Sequence, residues 1–125
     1  MRRPGEAVHR AVAQYLALAL PSKGAWFAHV PNGGGRTKAE GGILKALGVK
    51  AGVPDLLIVH RGRAHWLELK APPRLLKNGT PSKAKPAISD EQEETMRQLQ
   101  RAGCEVGICR SLGEVQALLT QWGIV

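Results

Sequence analysis

The stretch Pro54-Asp55-Leu56-Leu57-Ile58-Val59-His60-Arg61-Gly62-Arg63-Ala64-His65-Trp66-Leu67-Glu68-Leu69-Lys70 decides the fold of this chain. Two apolar runs, 55–60 and 64–70, flank Arg61-Gly62-Arg63, whose central glycine supports a hairpin turn. A two-residue turn at Arg61-Gly62 pairs His60 with Arg63, and counting outward sets Asp55 directly opposite Glu68. Opposed residues of an antiparallel pair hold their Cβ atoms about 4.5 to 5.5 Å apart, so two ionised carboxylates there repel unless a cation lies between them. Side chains alternate along a strand, so Trp66, Glu68 and Lys70 share one face while Leu67 and Leu69 point the other way into apolar packing. A slip of one residue would place Asp55 and Glu68 on opposite faces and dissolve the pair.

That placement suits metal-assisted hydrolysis of a phosphodiester. Magnesium keeps several waters and needs only a few carboxylates plus phosphate oxygens, which two acids and a backbone carbonyl begin to supply. Such a metal activates water and neutralises charge on the phosphodiester. Lys70, beside Glu68, can position or deprotonate that water or stabilise the developing negative charge. The competing reading of the same residues is a solvated rim or a cross-strand ion pair, since Pro-Asp and Glu-x-Lys also recur by chance.

Length and charge narrow the partner. With 125 residues the chain suits one domain, 1–125, with one core. Its formal charge of +8 favours a polyanion, because lysines and arginines that meet phosphates gain from counterion release. A membrane surface would offer a similar attraction, yet no stretch supports insertion: Leu16 to Leu20 is apolar but short. Cys104 and Cys109, the two cysteines, lie five apart in one strand-like run and face opposite ways, and the histidines at 9, 29, 60 and 65 are scattered without zinc-ligand spacing. Reduced, buried thiols in a cytoplasmic protein are the expectation.

Elsewhere the chain reads as alternating elements. Glu6 to Leu20 carries the helical stripe Val8, Val12, Tyr15, Leu16 and Ala19, and Pro21 closes it. Trp26 to Val30 is a strand that ends at Pro31-Asn32-Gly33-Gly34-Gly35, a turn or loop made basic by Arg36 and Lys38. A short helix is expected over 39–47, after which Gly48 to Pro54 leads into the hairpin with Gly52 placed for close backbone approach. Residues 71–88 are rich in proline and lysine, centre on Asn78-Gly79 and show no period, which predicts an exposed, mobile basic loop. Ser89 and Gln92 form a capping-box pair opening a helix that stops at Gly103. Cys104 to Cys109 is a strand, and Ser111 to Trp122 a last amphipathic helix. The order predicts an α/β fold, a mixed four-stranded sheet flanked by helices, with the strand after the Ser89 helix added through a crossover.

These elements and residues together resemble the PD-(D/E)XK nuclease superfamily, and within it the virus-type replication-repair nuclease (VRR-NUC) branch. Glu6 resembles that family's N-terminal acidic residue, Pro31-Asn32-Gly33-Gly34 its glycine loop, Gly52-Val53-Pro54-Asp55-Leu56 its central acidic motif and Glu68-Leu69-Lys70 its Glu-x-Lys. Ser89, Gln92, Gly103 and the Glu105 to Cys109 strand resemble its closing segment. The resemblance implies a restriction-endonuclease-like core of order αβ(α)ββαβα. It also implies that Glu6, Asp55, Glu68 and the Leu69 carbonyl hold Mg²⁺ or Mn²⁺, with Lys70 assisting the attacking water and Gln92 supporting the site. Read from residues alone, Glu6 is equally a solvated acid at a helix N-terminus and Gln92 equally a cap.

The function expected on these grounds is a metal-dependent DNA endonuclease, structure-selective in the manner of four-way (Holliday) junction resolvases and acting as a homodimer, because a symmetric junction needs two cuts. Asn32, Gly33, Arg36 and Lys38 in the glycine loop, and Arg74, Lys77, Lys83 and Lys85 in the basic loop, are the expected DNA contacts. Trp122, Ile124 and Val125 are either a dimer surface or core. The alternatives are a nickase or restriction-like nuclease of linear or flapped DNA, and a noncatalytic DNA-binding module.

Overall fold

Arg61 and Gly62 form a two-residue hairpin turn with φ of 51° and 75°, both positive as a type I′ connection demands. The register that follows pairs His60 with Arg63, Ile58 with His65 and Leu56 with Leu67. One step further out, Asp55 faces Glu68, as the sequence predicts. This geometry comes from a computed structural model that describes residues 5–31, 37–84 and 87–125.

Around the hairpin the elements run α1 (Glu6–Ala19), a 3₁₀ turn (Pro21–Lys23), β1 (Ala25–His29), α2 (Lys38–Ala46), β2 (Leu56–His60), β3 (Arg63–Leu69), α3 (Asp90–Arg101), β4 (Glu105–Cys109) and α4 (Leu112–Gln121). The sheet order is β1-β2-β3-β4. Its first three strands are antiparallel, whereas β4 joins β3 in parallel. A parallel neighbour needs a crossover, and α3 supplies it. The mixed four-stranded sheet predicted from the sequence is therefore the observed one.

One sheet face carries the core. Leu56, Ile58, Leu67 and Cys109 meet Val12 and Leu16 of α1 and Val115 and Leu119 of α4, and each of these side chains is essentially removed from water. Full burial of a leucine or isoleucine contributes about 1.5 to 3 kcal/mol, so this layer dominates stability. Gly107 of β4 lets α4 come close, because a Cβ there would collide with the Leu118 side chain. Ile124 is 3 % exposed, with Trp122 and Val125 packed against the same cluster. The apolar C-terminal end is thus core.

On the opposite face α3 lies over β4, with Met96 buried. Within the exposed segment 71–84 the chain carries local order at residues 74–82. Leu75 bridges Pro81 in antiparallel fashion, Leu76 N–H donates to Thr80 O at 2.7 Å and Ser82 N–H to Arg74 O at 2.7 Å. Gly79, at φ 85°, closes the small hairpin. A mostly exposed hairpin of this kind has no apolar period by which to recognise it in the sequence.

Candidate functional site

Four side chains meet where β2 begins and β3 ends. Asp55 is held from two directions: its Oδ2 accepts the Leu69 N–H at 2.7 Å, and its carbonyl accepts Val30 N–H at 2.8 Å and lies 2.9 Å from His29 Nδ1. Since a carbonyl only accepts, His29 must carry its proton on Nδ1. The edge of His9 rests on the His29 ring, centroids 4.5 Å apart. Burial, and then His29, lower the pKa of His9.

Glu68 sits deeper, at 3 % exposure. Its Oε2 accepts from Gln92 Nε2 at 2.6 Å and lies 3.5 Å from Lys70 Nζ. Its Oε1 is buried with no hydrogen-bond donor. Burial first, then the neighbouring Asp55 carboxylate, push the Glu68 pKa up to about 7 against the opposing pull of Lys70. Two carboxylates facing each other, one with an orphaned buried oxygen, make a site short of positive charge. Hard oxygen donors in that arrangement fit Mg²⁺ or Mn²⁺ better than a softer metal. Among the described residues no three of His, Cys, Asp and Glu gather into a metal-binding group, so a cation here would complete its shell with backbone oxygen, water or substrate.

Gln92 has two tasks at once. As the third residue of α3 it closes a capping box with Ser89, its Oε1 accepting Ser89 N–H at 2.9 Å. The same Oε1 accepts from Lys70 Nζ at 3.0 Å while Nε2 goes to Glu68. The amide orientation is fixed by its neighbours, since donors surround one end and a carboxylate the other. Gly52 sets how close this helix comes: at φ 77°, its missing Cβ would lie 2.7 Å from Gln92 N and collide with the Glu91 carbonyl. Thr95 Oγ1 ties the same loop to α3 through Ala51 O at 2.9 Å. The close approach expected of Gly52 is therefore the contact that aims Gln92.

The remaining expected residues lie at the margins. Glu6 begins α1, whose N-cap Gly5 abuts the Ala71 backbone just beyond Lys70. Its carboxylate pairs with Arg10 at 2.9 Å. Leu69 ends β3 beside Asp55, its side chain packed towards the core. Lys38 is exposed at the start of α2, and Arg74, Lys77 and Lys83 are exposed on and beside the small hairpin. Asn32, Gly33, Arg36 and Lys85 lie outside the described residues. Sequence reading missed His29 and Arg110, whose Nη1 donates to Ala71 O at 3.1 Å. Neither stands in a pattern that distinguishes it from any other histidine or arginine of the surface.

No family model and no curated protein matches the chain. Among solved structures, a "VRR_NUC domain protein" superposes with a TM-score of 0.65 at 19 % identity, over 97 % of this chain and 88 % of its own. A "VRR_NUC domain" superposes with a TM-score of 0.55 at 17 % identity, over 93 % and 94 %. The α/β fold with its flanked four-stranded sheet is thus the VRR_NUC fold.

Proposed function

We propose that this chain, which has the VRR_NUC fold, is a divalent-metal-dependent DNA endonuclease of the PD-(D/E)XK type. The observation that carries the reading is the opposed pair Asp55 and Glu68, with Glu68 Oε1 buried and unsatisfied beside Lys70. A noncatalytic DNA-binding module would have no use for two carboxylates held together at a cost in burial and repulsion.

Asp55, Glu68 and the Leu69 carbonyl are the residues that would hold Mg²⁺ or Mn²⁺; Glu6, which pairs with Arg10 at the start of α1 and does not gather with the two acids, would join them only by leaving that partner. When bound, such an ion lowers the pKa of water and neutralises phosphodiester charge. Asp55 is aimed by the Leu69 N–H and by the end of β1, so its carboxylate cannot swing away. Lys70, anchored by Gln92 Oε1, presents its ammonium next to Glu68, where it orients the attacking water and stabilises negative charge on the phosphate. Lys38, Arg74, Lys77, Lys83 and Lys85, with Asn32, Gly33 and Arg36, contact the DNA backbone. The net charge of +8 supports that partner.

The substrate is branched DNA, cut in the manner of a four-way junction resolvase, and the working form is a cytoplasmic homodimer of single-domain chains. Two cuts related by a twofold axis need two sites, and each chain has one. Among the described residues no helix is long and apolar enough to cross a membrane.

The test compares Mg²⁺-dependent cleavage of a four-way junction and a matched linear duplex by wild type and Glu68→Ala. The wild type should nick the junction in symmetric pairs, and Glu68→Ala should slow this by roughly a thousandfold, about 4 kcal/mol in barrier. No metal-dependent cleavage of either DNA sinks the enzyme reading. Equal cleavage of both removes the junction preference, and a monomer by sedimentation on the junction removes the dimer.

A further inference from the structure

The small hairpin 74–82 exposes apolar surface in a setting built for a polyanion. Leu75 and Leu76 are 65 % and 47 % exposed. No aspartate or glutamate occurs between Lys70 and Ser89, while Arg74, Lys77 and Lys83 surround the leucines. The hairpin is not a loose tail. Gly79 N–H donates to Leu76 O at 2.9 Å, and Asn78 Oδ1 accepts from Thr80 N–H at 3.0 Å and Thr80 Oγ1–H at 2.6 Å. Its base is Pro72-Pro73, stiff by ring constraint, and Ala71, pinned by Arg110 and by Gly5. The arm therefore leaves the sheet directly after Lys70, at the edge of the candidate site.

Phosphate contact alone has no use for two leucines. Cations bring the hairpin to the DNA backbone, and the apolar surface that DNA then offers is the face of a base. Proteins that insert leucine between base steps unstack them and kink the duplex. In continuous duplex every step must be prised open, whereas at a branch point, flap or nick the stack is already interrupted. We infer that the hairpin 74–82 is a wedge that inserts Leu75 and Leu76 into an interrupted base stack beside the scissile bond, and that this insertion selects branched over continuous DNA. The inference rests on the nuclease reading only for the location of the cut.

The experiment places 2-aminopurine at the branch-point pair of a four-way junction and at the same pair of a matched linear duplex. The full chain carrying Asp55→Asn is added without metal, with Leu75 and Leu76 either intact or both changed to serine. Intact leucines should raise the junction fluorescence roughly threefold and the duplex signal little, while the serine pair abolishes the rise. Anisotropy of the same junction should fall in affinity by less than about tenfold, because the cations remain. An equal rise with the serine pair, or none with either chain, overturns the wedge. So does a serine pair that converts a dimer to a monomer without changing the fluorescence, since the leucines would then cover a second copy of the chain. Both exposed substitutions should leave the melting transition in place. Wild-type cleavage is read separately: a fluorescence rise without metal-dependent cutting rejects the nuclease and keeps the wedge, and cutting without a rise does the reverse.

Discussion

The molecule contains two hairpins whose turn residues and burial point in opposite directions. Asn78-Gly79 is the stronger local turn signal, yet the hairpin it closes has a single bridge and leaves both Leu75 and Leu76 exposed. Arg61-Gly62 is the weaker one, with an arginine at φ 51°, yet it closes the β2–β3 pair whose Leu56, Ile58 and Leu67 are fully buried. Turn chemistry tells the chain where it can reverse. Burial decides whether the reversal fixes a register, and only a fixed register can hold Asp55 opposite Glu68.

The comparison breaks most sharply away from both turns, at Gly52. An alanine there faces a positive φ and a collision with the Glu91 carbonyl, so α3 must retreat and take Gln92 with it. Gly52→Ala should cost about 3 to 4 kcal/mol in urea unfolding. It should also slow cleavage at saturating metal, because Lys70 and Glu68 lose their shared amide. Changing Leu75 and Leu76 together to serine should change unfolding by less than about 0.5 kcal/mol. A small effect at Gly52 would mean that the register alone, without α3, holds the site.

How much of this was legible depends on whether a residue's role leaves a period or a spacing. The Asp55–Glu68 opposition follows from the turn length, Gly52 from its place before Pro54-Asp55, and the capping box from Ser89 and Gln92 three apart. The second task of Gln92 was legible only through the family resemblance and not from spacing, since its partners Glu68 and Lys70 are 24 and 22 residues away. His29 was invisible for the same reason, being aimed by β1–β2 pairing at a backbone carbonyl that has no signature in sequence. The pairing of Glu6 with Arg10 is the reverse case, since an i,i+4 partner is readable from spacing alone. The 74–82 hairpin carried the right turn residues, but without a buried face nothing marked it as structure.

A second break tests the buried side of the comparison through pH. Glu68 in the folded chain titrates near 7, raised from 4.5 chiefly by burial. The fold binds that proton more tightly than the unfolded chain does, so its contribution is fully present below about pH 4.5 and is lost as pH rises towards 7. At about 1.4 kcal/mol for each unit, the metal-free protein should lose about 3 kcal/mol from this group across that window. Denaturant unfolding in a chelator should show the Glu68→Gln variant gaining on wild type by that amount between pH 4.5 and 8. Mg²⁺ should narrow the gap above pH 7 by stabilising only the wild type, because a ligand carboxylate must be deprotonated to bind. A gap independent of pH would show that Glu68 is as well solvated as the acids of the outer helices.

The smallest effect probes the turns themselves. Arg61 is, among the described residues, the non-glycine with positive φ, a conformation that costs a residue with a full side chain about 1 kcal/mol and asparagine less. Arg61→Asn puts at this left-handed position a residue that tolerates it. Because the strands beneath it are buried, the relief should appear undiminished as about 0.5 to 1 kcal/mol of added stability, with cleavage unchanged apart from the lost surface charge. Converting Asn78 to arginine is the companion experiment, which removes the two bonds that Asn78 Oδ1 accepts from Thr80. There the turn reports to no core, so global unfolding should stay within about 0.3 kcal/mol. If the two substitutions instead moved unfolding equally, the small hairpin would be part of the cooperative fold, and its exposed leucines would have to be explained as structure instead of reach.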